Sequence, residues 1–236
     1  MIRPGATPTQ LTLAFPLRPR SRFEQFVSGQ NQELLERLEA LAAHQGSFAG
    51  CYLTGAQGSG KTHLLQAACQ RAGTLGRRAM YLPLSDPALD PESLDGLERM
   101  ALVALDDVHT WLGSPARERA LLGLYQGLLQ QGATLLVAAP VAAAALQCRF
   151  ADLCSRLRAL DGYQLRPLDD GGKQRLLAEL AANRGLTLAA EVLDFWLTRG
   201  SRDLPTLLAQ LDALDAASLA AQRRVTVPLL KQVLGL

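Results

Sequence analysis

The first long periodic stretch is residues 31–43. Leu34, Leu35, Leu38, Leu41 and Ala42 fall on one side at spacings of three and four, which predicts an amphipathic helix. Short unbroken apolar runs follow. Residues 49–53, 79–84, 101–105 and 134–139 read as strands, and the continuous apolar texture of 101–105 and 134–139 is the type covered on both faces of a parallel sheet. Between them, 63–69 and 117–130 read as helices, and 85–94 as a turn-rich segment with room for a short helix. The texture changes at 163–167. Beyond it, 169–185, 189–198 and 204–222 read as three helices, and 225–234 as a short hydrophobic end. Alternating strands and helices thus precede an all-helical part. The fold class expected is α/β, a parallel sheet flanked by helices with a small helical subdomain after it. The expected divisions are a tail at 1–22, an α/β subdomain at 23–165 and a helical subdomain at 166–236.

The front of the chain has its own pattern. Residues 1–8 are polar with two prolines and are expected to be unstructured. Leu11, Leu13 and Phe15 then alternate with Gln10, Thr12 and Ala14, and 16–22 forms a basic, proline-containing linker. This short motif reads equally well as an edge strand packed on the domain or as a docking peptide that lies extended in a partner's groove.

Composition narrows the function classes. The 236 residues carry a formal net charge of +2, too small an excess for strong general affinity for nucleic acid. The four cysteines, Cys51, Cys69, Cys148 and Cys154, form no C-x-x-C pair, and only three scattered histidines accompany them, which argues against a zinc site. Four reduced, mostly buried thiols are expected. The N-terminus lacks the apolar stretch of a signal peptide, and no apolar run is long enough to span a bilayer. A cytoplasmic protein without membrane association is expected.

The chemistry gathers at residues 55–62, GAQGSGKT, which fit G-x-x-x-x-G-K-[ST], the phosphate-binding P-loop. Glycines let backbone N–H groups turn inward toward phosphate oxygens, and the helix behind them points its positive end at the anion. Gly55, Gln57, Gly58, Ser59, Gly60, Lys61, Thr62 and His63 are the candidate nucleotide-binding residues, with ADP or ATP as the ligand. Lys61 is expected on the β- and γ-phosphates and the Thr62 hydroxyl on Mg2+. The third strand ends in Asp106-Asp107. A carboxylate at such a strand tip is the Walker B arrangement, so Asp106 is the second candidate Mg2+ ligand and Asp107 a candidate catalytic residue.

P-loop, double-Asp Walker B and helical lid together resemble an AAA+ module. The details resemble the DnaA-related AAA+ family, and within it the truncated Hda group. QLTLAF at 10–15 looks like that group's sliding-clamp motif, which implies clamp contacts for Gln10, Leu11, Leu13 and Phe15. FEQFVSGQNQELL at 23–35 looks like the segment beside the family's nucleotide pocket, and the tail from 211 looks like the group's C-terminus. ADLCSRL at 151–157 looks like the box carrying the arginine finger, which implies a catalytic Arg156 after the last strand. The chain stops at the lid, where DnaA continues into a helix-turn-helix DNA-binding domain, so no sequence-specific DNA binding is expected.

The resemblance implies a negative regulator of replication initiation. Such a protein is ADP-bound, tethered to the DNA-loaded DNA polymerase III β sliding clamp, and promotes hydrolysis of the ATP held by DnaA. It admits a homodimer or larger oligomer. Three departures weaken intrinsic hydrolysis. Ala138-Ala139 occupies the usually polar sensor 1 position, Pro205 stands where sensor 2 has an arginine with Arg202 one turn earlier, and Asp107 stands where many AAA+ ATPases have a catalytic Glu, although DnaA relatives also use Asp there. Two other readings stay open: a P-loop ATPase that itself loads or remodels a replication factor, and a pure adaptor whose nucleotide is structural.

Overall fold

Five strands, β1 (Ala49–Thr54), β2 (Ala79–Pro83), β3 (Leu102–Asp106), β4 (Thr134–Ala139) and β5 (Asp161–Gln164), pair in parallel in the order β2-β3-β4-β1-β5. The structure is a computed structural model that describes residues 21–221 and 224–235. The clamp-motif candidates Gln10, Leu11, Leu13 and Phe15 lie outside the described residues.

Every residue of β3 and β4 is buried, which is why both runs lack alternation in the sequence. The period of two survives in where each side chain goes. Val103, Leu105, Leu135 and Val137 join one core, and Leu102, Ala104, Leu136 and Ala138 join the other. The first core is covered by α3 (Pro115–Gln131) and α4 (Ala151–Arg158), through Leu121, Leu124, Leu153 and Leu157. The second lies under α1 (Gln32–Ala43) and α2 (Lys61–Thr74), through Leu34, Leu38, Leu64 and Ala68. At the strands' N-terminal edge, Arg77 donates to the carbonyls of Leu41 and Ala42 at the end of α1 and to that of Ala101. A cation there satisfies carbonyls that the helix leaves open.

The remaining helices, α5 (Asp170–Ala182), α6 (Ala190–Arg199), α7 (Leu204–Ala221) and α8 (Val227–Leu234), enclose a third core of their own around Leu177, Trp196, Leu207 and Leu230. Trp196 is fully buried and its Nε1 donates to Gln210 Oε1 at 2.8 Å, which satisfies the one polar atom of the ring. Asn31 ties this part to the first: its Nδ2 donates to Arg166 O at 3.0 Å, and Arg166 N donates back to its Oδ1 at 2.8 Å. The hydrophobic end at 225–234 is a helix, started by the Thr226 side chain and a proline in its first turn.

Two expectations need correction. Arg156 lies on α4, before the last strand rather than after it, because β5 follows at Asp161–Gln164. The cysteines are not all free. Cys148 and Cys154, six residues apart with Cα atoms at 5.8 Å, form a disulfide, while Cys51 and Cys69 are buried thiols. The turn into α4 brings the first pair to bonding distance.

Candidate functional site

The P-loop leaves β1 and turns at Gly58 (φ 74°) and Gly60 (φ 102°), left-handed backbone that favours glycine. Space imposes the same choice. A Cβ on Gly58 would lie 2.4 Å from Cδ of Pro205, and one on Gly60 would lie 2.6 Å from the Phe26 ring. The loop is therefore gripped between the start of α7 and the segment preceding α1. The His63 ring lies tilted against that of Phe26, with centroids 5.7 Å apart, and its Nε2 lies 2.9 Å from Arg22 O. Gln57 is exposed on the loop.

Helix α2 begins at Lys61 with Gly60 as N-cap and no side-chain cap, so its first N–H groups stay open to an anion. Lys61 is nearly buried, and its Nζ donates to Gly55 O at 2.7 Å and Ala56 O at 3.0 Å. Burial lowers its pKa, while Asp106 and Asp107 act the other way. The Ser59 hydroxyl is buried among the described residues with no hydrogen-bond partner. An orphaned polar atom inside a loop of this shape fits a ligand oxygen.

Asp106, at the tip of β3, is 3% exposed. Its Oδ2 accepts from Thr62 Oγ1 at 2.6 Å and from the Tyr81 hydroxyl at 3.0 Å, and its Oδ1 accepts from Asp107 N at 3.1 Å. Burial raises its pKa above the ordinary carboxylate range, against the Thr62 hydrogen bond and with the help of Asp107. A hydroxyl and a carboxylate in contact are a hard oxygen pair that suits Mg2+, whose other positions go to water and phosphate. No cluster of three or more His, Cys, Asp or Glu side chains suited to a metal occurs among the described residues. Asp107 is the non-glycine residue at positive φ among those described, at 55°, and its Oδ2 accepts from Ser85 Oγ at 3.1 Å. Strain of this kind is commonly kept where a side chain must be aimed.

Tyr81 and Ser85 had no sequence signal of their own. They reach the two aspartates through the β2–β3 pairing, which sets Pro83 beside Asp106. At the neighbouring strand tip, Ala138 and Ala139 are fully buried and offer no polar group. Pro205 sits against the P-loop, whereas Arg202 is exposed.

Arg156 stands apart from this cluster. Its Nε lies 3.0 Å from both oxygens of Asp152, and its guanidinium lies 5.2 Å from the centre of the Tyr125 ring. Neither partner belongs to the P-loop. Arg158, the other arginine of α4, is spent on the carbonyls of Ala143 and Leu146.

Two family profiles match. Residues 17–84 match the bacterial DnaA ATPase domain, and residues 170–234 match the Hda lid domain. Among solved structures, the fold is similar to domain III of the Thermotoga maritima replication initiation protein DnaA, with 21% identity over 93% of this chain and 98% of that one and a TM-score of 0.81. AMPPCP-bound DnaA from Aquifex aeolicus is 22% identical over 86% of this chain and 68% of that chain, with a TM-score of 0.74. The Thermotoga maritima RuvB Holliday junction branch migration motor is 16% identical over 93% and 72%, with a TM-score of 0.71. At these identities the likeness establishes the fold, a parallel five-stranded AAA+ sheet with a helical lid.

Proposed function

Because the chain is an Hda/DnaA-related AAA+ protein, we propose that it regulates replication initiation by acting on the ATP bound to DnaA. Its own P-loop holds ADP or ATP, with Lys61 and the open N-terminus of α2 on the phosphates and Thr62 and Asp106 holding Mg2+. The cation would neutralise phosphate charge. Gln10, Leu11, Leu13 and Phe15 engage the sliding clamp and so keep the protein on replicated DNA. Arg156 is offered to a neighbouring molecule's nucleotide, where a guanidinium can place two donors on phosphoryl oxygens as charge develops.

The observation that carries this reading is a division of labour. The phosphate cradle is complete, but the groups expected to read a γ-phosphate in cis are Ala138, Ala139 and Pro205, none of which can donate a hydrogen bond from its side chain. The candidate finger is held elsewhere, on Asp152 and Tyr125. Such a protein keeps nucleotide well, hydrolyses it poorly and acts on a partner's. One observation favours the ATPase reading instead. Asp107 is aimed by its backbone and by Ser85 as a water-positioning carboxylate is.

Reconstitution separates the two. With clamp, DNA and ATP–DnaA, the purified chain should accelerate loss of DnaA-bound ATP, while alone it turns over slowly. Brisk turnover alone with no effect on ATP–DnaA would support the ATPase reading.

A further inference from the structure

Arg156 sits on a helix that cannot place itself. Helix α4 has eight residues, too few to be stable alone, and its N-cap, Phe150, supplies no side-chain cap. The N–H groups of Arg149 and Phe150 at this end go instead to one buried side chain. Arg149 N donates to Glu118 Oε1 at 3.0 Å and Phe150 N to Glu118 Oε2 at 2.9 Å. Gly113 N donates to Oε1 as well, at 2.6 Å.

Glu118 is fully buried on the first turn of α3, a place carboxylates seldom occupy. Burial acts to raise its pKa, but the main-chain donors from Arg149, Phe150 and Gly113 outweigh it and leave the pKa lowered. It is therefore an anion whose solvation shell is backbone, and two of its three donors belong to the N-cap of the finger helix and the residue before it. Tyr125 lies seven residues on, on the same side of α3, and carries the Arg156 guanidinium over its ring. The Arg119 guanidinium lies over the Phe150 ring at 5.7 Å. The Cys148–Cys154 disulfide closes the same turn, with both N–H donors inside its loop.

We infer that Glu118 and Tyr125 are positioning residues for Arg156: α3 is a pedestal that sets where the finger points, by anchoring α4 at its N-terminus through Glu118 and under the guanidinium through Tyr125. This rests on the reading of Arg156 as a trans-acting finger. Near-attack geometry tolerates little error, and about 1 Å of misplacement can cost on the order of 10²-fold in rate. A loosened pedestal should therefore cut the maximal rate given to the partner while leaving the encounter with it almost unchanged.

The test measures stimulation of ATP–DnaA hydrolysis across a range of concentrations of the full chain on DNA-loaded clamp, alongside ADP affinity and melting temperature. Glu118→Gln turns one acceptor into an N–H group facing a backbone donor. It should lower the maximum at least tenfold and move the half-maximal concentration less than threefold, with ADP affinity unchanged. Tyr125→Leu removes the ring face and, under conditions where the variant stays folded, should also lower the maximum. Tyr125→Phe keeps the ring face and should restore it. A purely structural role predicts that each variant loses activity only in proportion to its unfolded fraction, and that result overturns the inference. If Glu118→Gln does not fold, the Tyr125 pair decides alone. If Arg156→Ala stimulates as the parent does, the finger reading fails. If Arg156→Ala is inert while Glu118→Gln and Tyr125→Leu act normally, the pedestal alone fails.

Discussion

At the scale of single residues, the site is dominated by a carboxylate that would be costly without a ligand. Asp106 is buried and burial raises its pKa, so folding shifts it toward its protonated form. The unfolded value is about 3.9. Between that value and the higher folded one, the folded protein binds more protons, and its stability falls as pH rises. Asp106→Asn should therefore melt at a higher temperature than the parent at pH 7 in the absence of nucleotide and with EDTA. That advantage should vanish near pH 4, and Mg2+ should no longer improve ADP binding. A variant that melts lower at pH 7 would show that the Thr62 and Tyr81 hydrogen bonds outweigh burial. Pro205 sets the second prediction. With no cation at that position, ADP should bind at least as well as ATP in calorimetric titrations. A preference for ATP above about tenfold, ~1.4 kcal/mol, would mean that Arg202 or another group reads the γ-phosphate. The loop at 55–62 and the helix start at Lys61 were legible because spacing along the chain sets them. Tyr81 and Ser85 were not, because they reach Asp106 and Asp107 across 25 and 22 residues through strand register.

At the scale of elements, what the sequence revealed follows how each element is buried. Strands β3 and β4 are covered on both faces and announced themselves as apolar runs. Strand β5, Asp161–Gln164, reads DGYQ, and none of its four residues is buried, so no hydrophobic pattern marked it. It exists because β1 offers a free edge, where Cys51 pairs with Asp161 and Thr54 with Gln164. Helix α4 is short and is held by contacts from α3, information absent from its own eight residues. The cysteine reading erred for a similar reason: composition argued for reduced thiols, and the turn into α4 brings two of them together. Thiol titration in denaturant checks this. Without reductant two thiols should react, Cys51 and Cys69, and after reduction all four. In the folded protein both should be slow, since burial pushes each pKa up to about 12 and leaves little thiolate. Four reactive thiols without reductant would contradict the disulfide.

At the scale of the whole molecule, the lid closes directly on the phosphate loop, with Pro205 against Gly58 and Phe26 against Gly60 on the other side. Phosphate loop, lid and N-terminal segment are thus in mutual contact, so a bound nucleotide should stiffen the face presented to partners. The clamp motif is separable from this body in the proposed scheme. Changing Gln10, Leu11 and Leu13 to Ala should abolish clamp binding in a surface-plasmon assay, at about 1–3 kcal/mol for each apolar anchor lost. ADP affinity and melting temperature should stay at the parent's values. Unchanged clamp affinity would leave the edge-strand reading of that segment. The central claim is that the chain acts on another molecule's ATP through Arg156, and one measurement meets it head on: the rate of ATP loss from ATP–DnaA on clamp-loaded DNA with Arg156→Ala in place of the parent at matched clamp occupancy. The account predicts that stimulation disappears while ADP and clamp binding persist, and that Arg156→Lys fails nearly as badly because an ammonium lacks the planar fork. Stimulation by Arg156→Ala equal to the parent's would contradict it.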